Sequence, residues 1–161
     1  MAATQNINGP ESEVALAFSP TALLKALRPL QWVKNGLVFL PFVFAVDIAW
    51  STDDLGEVPE LLVKLVLAAL SFCSLSSAVY LFNDLLDRSR DRLHPVKRNR
   101  PIASGKVSAP VAGAVMVVLG AAGLAVMVLV EPMLGIAGGL YAAINVSYSI
   151  GLKQVVLLDA F

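Results

Sequence analysis

Long apolar runs separated by short charged clusters dominate most of the chain. Residues 110–130 contain no charged side chain, and residues 65–82 and 133–150 are likewise free of charge. Each approaches the roughly 20 apolar residues a helix needs to cross the hydrocarbon core of a bilayer. Runs of this kind argue against a buried bundle in a soluble protein. Residues 36–50 form a weaker span, interrupted by Pro41 and Asp47, that reads as tilted or kinked. A further apolar segment opens at Val155. The pattern predicts an all-α integral membrane protein, a helical bundle with four complete spans and the start of a fifth. Residues 1–24 are polar and mixed, and read as a disordered cytoplasmic tail ahead of one polytopic domain over residues 25–161. No basic start followed by an apolar stretch marks a removable signal peptide there.

Composition supports lipid as the solvent. Of 161 residues, 57% are hydrophobic and 15% charged, where a soluble domain carries about a quarter charged residues. The mean hydropathy is +0.75. This excludes a disordered chain, which needs low hydrophobicity and high net charge. A formal net charge of zero offers no basic field for nucleic acid. The single cysteine, Cys73, lies in an apolar run and reads as a packed structural thiol.

The distribution of charge says more than its sum. Asp53, Asp54, Glu57 and Glu60 fall between the first two spans, and Glu131 stands alone between the third and fourth. Arg88, Arg90, Arg92, Lys97, Arg98, Arg100 and Lys106 fall between the second and third, Lys25, Arg28 and Lys34 precede the first, and Lys153 follows the fourth. Basic residues thus occupy every second connection, which places the amino terminus and the 84–106 loop in the cytoplasm. Trp32 and Trp50, near span ends, read as interface anchors, and Lys34 and Lys153 are placed to snorkel. Gly113, Gly120, Gly123, Gly135, Gly138 and Gly139, with Ser71, Ser74, Ser76 and Ser77, are small residues that let spans approach closely.

Candidate chemistry concentrates where the second span meets that loop. If the helix continues to Asp91, then Asn83, Asp87 and Asp91 fall at i, i+4 and i+8, and Tyr80 and Asp84 share the same broad face. Carboxylates stacked on one face repel unless a cation lies between them. An amide and carboxylates are hard oxygen donors that suit Mg²⁺, which keeps waters and is commonly completed by substrate phosphates. Lys97, Arg98 and Arg100 follow in a loop bounded by Pro95 and Pro101. Acids for a metal beside bases for phosphates are what a diphosphate–Mg²⁺ complex requires. A basic loop alone would equally serve as a lipid-headgroup patch. His94, the only histidine, reads as a loop hydrogen bonder. HExxH, CxxC, GxSxG and P-loop motifs are absent.

Asn83-Asp84-x-x-Asp87-x-x-x-Asp91 resembles the first aspartate-rich motif of the UbiA-type membrane transferase superfamily. His94-Pro95-Val-Lys97-Arg-Asn-Arg100-Pro101, Arg28-Pro29-Leu-Gln31-Trp32-Val-Lys34-Asn35 and Tyr148-Ser-Ile-Gly-Leu-Lys153 are similar to its decaprenyl-phosphate phosphoribosyltransferase branch, more than to the branch that prenylates 4-hydroxybenzoate. The resemblance implies a helical bundle in the cell membrane with its active site open to the cytoplasm. It implies Mg²⁺-dependent transfer of a 5-phosphoribosyl group from phosphoribosyl pyrophosphate to a polyprenyl (decaprenyl) phosphate, with loss of pyrophosphate. Asn83 and Asp87 would be the metal ligands, with Asp84 and Asp91 supporting directly or through water, so that Asp84, Asp87 and Asp91 would be the catalytic residues. Lys34, Tyr80, Lys97, Arg100 and Lys153 would hold the donor. Prenyl transfer from a prenyl diphosphate to a small acceptor is the enzymatic alternative, since both reactions expel Mg²⁺-bound pyrophosphate. A non-catalytic membrane module is the other. Members of the family are much longer and carry a second polar motif, so the chain reads as an amino-terminal portion.

Overall fold

The computed structural model describes residues 18–45 and 55–151. Among them the chain is helical, with a lone antiparallel bridge between Phe18 and Val107. Helix α1, Pro20–Leu27, starts where Ser19 turns extended and its Oγ accepts from the Ala22 N–H at 3.4 Å. Pro20 stands in the first turn, where its missing N–H costs nothing. This moves the expected end of the tail. Residues 18–24 are structured, because Ser19 caps the helix and Ala22 and Ala26 are buried on its inner face.

α1 stops at Arg28, whose φ of 55° and ψ of 56° lie in the left-handed region. Pro29 follows, and a residue before proline is driven out of the right-handed helical region. A 3-10 helix, Pro29–Phe39, and the short helix α2, Leu40–Phe44, come next. The weak first span is therefore not one α-helix over the described part of 36–50. Pro29 and Gly36 disfavour a continuous α ladder, and the chain takes the tighter 3-10 winding as far as Phe39; Pro41 then stands in the first turn of α2, where its missing N–H is tolerated. Asp47, Trp50, Asp53 and Asp54 lie outside the described residues, as does the segment from Val155.

Among the described residues three helices are long and apolar enough to cross a membrane: α3, Val58–Leu86; α5, Ala109–Val130; and α6, Pro132–Ile150. At 1.5 Å per residue the 29 residues of α3 span about 44 Å, more than the roughly 30 Å of the hydrocarbon core. Its end thus projects past the apolar zone and carries Asn83 and Asp84 to the loop side. α3 is the central helix: 44% of its most apolar stretch is buried within the chain, against 11% for α5 and α6. The outward faces present large apolar side chains such as Val117, Leu129 and Ile144, as lipid contact requires. Glu131 alone, in extended conformation, joins α5 to α6.

Gly120, Gly123, Gly135 and Gly138 stand at close helix contacts, whereas Gly113 and Gly139, expected to do the same, face open space. A Cβ placed on Gly123 would lie 3.0 Å from the Ser71 carbonyl oxygen, so α3 and α5 meet backbone to backbone there. Gly138 faces Met127 and Leu75, and Gly120 faces Ala78. Trp32 differs from its expected role. Its indole N–H donates to Ser77 Oγ at 2.9 Å, and Ser77 in turn donates to the Leu27 carbonyl at 3.0 Å. Asn35 Nδ2 lies 3.4 Å from both Ser76 Oγ and Cys73 Sγ. The polar side of the 3-10 helix is therefore docked on α3. Cys73 is half-buried and serves this packing.

One apolar cluster gathers at the loop end of the bundle: Ala22, Ala26, Leu81, Ile102, Val107 and Ala112. It ties α1, α3 and the segment before α5 into one unit, and it supports the site described next.

Candidate functional site

α3 ends at Leu86, and a short helix α4, Arg88–Leu93, continues from it after a break at Asp87. Asp87 has φ −84° and ψ −3°, still right-handed helical but at the edge of that region. Backbone bonding nevertheless crosses the break: Asp87 N–H donates to the Asn83 carbonyl at 3.0 Å, and Asp91 N–H to the Asp87 carbonyl at 2.8 Å. Asp84 and Asp91 therefore remain two turns apart on one side.

Both are buried and face arginines. The side chain of Asp84 is 2% exposed and that of Asp91 is 5% exposed. Arg28 Nη2 donates to Asp84 Oδ1 at 2.8 Å; Arg100 Nη1 reaches Asp84 Oδ1 at 3.3 Å and Asp91 Oδ2 at 2.8 Å. The Arg28 guanidinium also lies 4.6 Å from the centre of the Tyr80 ring, a cation–π contact. Lys25, Arg28, Asp84, Asn99 and Arg100 line a cleft of about 440 Å³. Asp87 lines a different opening of about 250 Å³, with Ser89 and Arg90 on one wall and Ser149 and Ile150 of α6 on the other.

The single acidic face expected from helical spacing is therefore divided. Asp84 and Asp91 turn to the arginines, while Asp87 lies toward the end of α6. The physical reason is twofold: the helix breaks at Asp87, and the loop delivers a cation to Asp84 and Asp91. Among the described residues no group of three Asp, Glu, His or Cys side chains is placed to hold a metal ion. Asn83 and Asp87, one turn apart and each half-buried, remain an amide–carboxylate pair of hard oxygen donors.

The basic loop is built rather than loose. Pro95 holds His94 extended, and His94 Nδ1 accepts from the backbone N–H of Val96 at 3.2 Å and Lys97 at 3.3 Å. That makes His94 the loop hydrogen bonder expected. A 3-10 turn, Lys97–Asn99, follows, and Arg100 N–H closes on the Lys97 carbonyl at 2.9 Å. Arg92 Nε donates to the Ala103 carbonyl at 3.1 Å, and Ile102 and Val107 are fully buried beneath. Gly105 turns the chain at φ 78°, where a side chain would be strained. Lys97 projects from this scaffold into solvent, as does Lys34 from the first 3-10 helix, while Tyr80 is half-buried under Arg28. Lys153 lies outside the described residues.

Sequence reasoning did not single out Arg28, Lys25 or Asn99 as members of the site. Only Arg28 carried a usable signal, since Arg-Pro at a helix end marks a sharp change of direction.

Residues 38–161 match the UbiA prenyltransferase family. The chain is similar to the decaprenyl-phosphate phosphoribosyltransferase of Mycobacterium tuberculosis, 39% identical over 137 residues that cover 85% of this chain and 44% of that protein. The enzyme of the same name from Mycolicibacterium smegmatis is 36% identical over 139 residues, 86% of this chain and 42% of the relative. The nodulation protein NoeC of Azorhizobium caulinodans is 48% identical over 84 residues, 52% of this chain and 24% of that one. The chain spans less than half the length of these curated relatives.

Proposed function

The chain belongs to the UbiA prenyltransferase family, and on that premise we propose that it forms part of a membrane transferase that moves a 5-phosphoribosyl group from phosphoribosyl pyrophosphate to a polyprenyl phosphate. The observation that carries this is the extended similarity to phosphoribosyltransferases, at 39% identity across 85% of the chain. The loop geometry is compatible with it: a rigid basic loop stands beside an acidic helix end.

Asn83 and Asp87 fit as protein donors to Mg²⁺. Both offer hard oxygen, and with so few protein ligands the shell would be filled by water and diphosphate oxygens. Bound there, the ion would supply charge neutralisation for the departing diphosphate. Lys34 and Lys97, exposed cations on the loop side, would bind the donor's phosphates, with Lys153 as a further candidate. Tyr80 would act through Arg28, whose guanidinium it supports. In the transfer, the bond from the ribose anomeric carbon to the diphosphate oxygen breaks and its electron pair leaves with the diphosphate. A phosphate oxygen of the lipid forms the new bond to that carbon. The attacking phosphate is already anionic, so no strong base is required, and positioning with charge stabilisation supplies the rate.

Membranes containing the full-length protein, given labelled phosphoribosyl pyrophosphate and decaprenyl phosphate, should yield labelled lipid that disappears on chelation of Mg²⁺. Product from a prenyl diphosphate instead, with no labelled lipid, would replace this reading by prenyl transfer. We also place the loop on the cytoplasmic face of the cell membrane, from the alternation of charge. A cysteine introduced at exposed Arg98 in a Cys73→Ser background should react with an impermeant maleimide only in inside-out vesicles; labelling in intact cells would reverse the topology.

A further inference from the structure

We propose that Asp84 and Asp91 are positioning residues rather than metal ligands: with Arg28 and Arg100 they form a charge-balanced clamp that fixes the basic loop, and with it Lys97, against the end of α3. This rests on the reading of Asn83 and Asp87 as the cation donors, and assigns the rest of the acidic motif a different task.

Three observations converge. The first is charge. Two carboxylates face two guanidiniums at 2.8 to 3.3 Å, so the cluster is neutral without any added ion. A divalent cation coordinated by Asp84 would stand next to both guanidiniums, and one on Asp91 next to that of Arg100, and would have to displace them. The second is desolvation. Asp84 and Asp91 are almost wholly removed from water, where a carboxylate persists only with a hydrogen-bonded partner of opposite charge. The arginines supply that partner and retain 30% and 28% exposure, which links the buried acids to the surface of the cleft. The third is connectivity. Arg100 closes the Lys97–Asn99 turn through its own N–H, and its carbonyl accepts from the Ser104 N–H at 2.8 Å. Holding the Arg100 side chain therefore holds the backbone that carries Lys97. Arg28 extends the same fixation to the junction of α1 and the first 3-10 helix, from which Lys34 projects.

The clamp and the cation donors make separable predictions in the full-length protein in lipid nanodiscs. Trypsin cuts after Lys97 and Arg98 only when the loop opens locally. Asp91→Asn and Arg100→Gln should each speed that cleavage by about tenfold, and the double variant no more than either alone. Binding of Mn²⁺ alone, without pyrophosphate, followed by electron paramagnetic resonance, should stay within about twofold of the native value in both, since neither removes a metal ligand. Asp87→Asn should do the reverse, weakening Mn²⁺ binding by about tenfold or more while the loop stays protected. For Asp91→Asn the KM for phosphoribosyl pyrophosphate should rise by about tenfold with kcat within about threefold, because a displaced Lys97 loses ground-state binding. If Asp91→Asn weakened Mn²⁺ binding as much as Asp87→Asn and left trypsin cleavage unchanged, the clamp would be overturned. If Asp87→Asn left Mn²⁺ binding intact, the cation reading of Asn83 and Asp87 would fall while the clamp stood. Should Asp91→Asn fail to reach the membrane, Arg100→Gln, at a partly exposed position, carries the same comparison.

Discussion

Asp87→Asn in the full-length protein is expected to lower kcat by on the order of 10²–10³ while membrane yield and helix content stay unchanged. The substitution is nearly isosteric. Asn adopts the backbone conformation of Asp87, φ −84° and ψ −3°, as readily as Asp does. The backbone bonds across the break, from Asp87 N–H to Asn83 and from Asp91 N–H to Asp87, involve no side chain and should persist. The substitution removes one negative charge beside the opening formed with Ser149 and Ile150. If the departing diphosphate is neutralised through that carboxylate, the loss falls on the transition state, and raising Mg²⁺ should recover part of the rate. Full turnover in Asp87→Asn at ordinary Mg²⁺ would remove the carboxylate from the mechanism. Asn83→Asp, which preserves an oxygen donor at the neighbouring turn, should lose much less.

The long helices were legible because their signal is local. Runs without charge at residues 65–82, 110–130 and 133–150 correspond to α3, α5 and α6, and α3 extends past its run at both ends, through Glu60 and Lys64 on one side and Asn83 and Asp84 on the other. The weaker run at residues 36–50 is not one α-helix over its described part. Pro29 and Gly36 decide there, and mean hydropathy is blind to them. The acidic motif was legible as a position but not as an arrangement. Helical spacing puts Asn83, Asp84, Asp87 and Asp91 within one broad face only while the helix is unbroken, and the break at Asp87 is a single residue wide. The partners of Asp84 and Asp91 come from Arg28, 56 residues upstream of Asp84, and from Arg100, nine residues beyond Asp91, through a loop whose path depends on buried Ile102 and Val107. No spacing rule reaches that far. The same long-range packing turned Trp32 from a free interface anchor into a hydrogen-bond donor to Ser77.

Asp84 should be the most sensitive single position for stability among the charged residues. Its Oδ1 receives both Arg28 and Arg100, so Asp84→Ala removes the group that holds two guanidiniums together and leaves like charges facing each other at the edge of the core. Truncating one partner of a buried, hydrogen-bonded charge pair costs about 2–5 kcal/mol. Each arginine here keeps about 30% exposure, so water can reclaim part of the lost interaction and the lower half of that range applies. Arg28→Leu should cost less than Asp84→Ala, because Asp84 then retains Arg100 and no cation is stranded. The expected order of apparent melting temperature in detergent is therefore native, then Arg28→Leu, then Asp84→Ala. Adding Arg28→Leu to Asp84→Ala should restore part of the loss, since it removes one of the two opposed charges. A double variant less stable than Asp84→Ala alone would show that Arg28 holds α1 through the Tyr80 ring more than through the carboxylate.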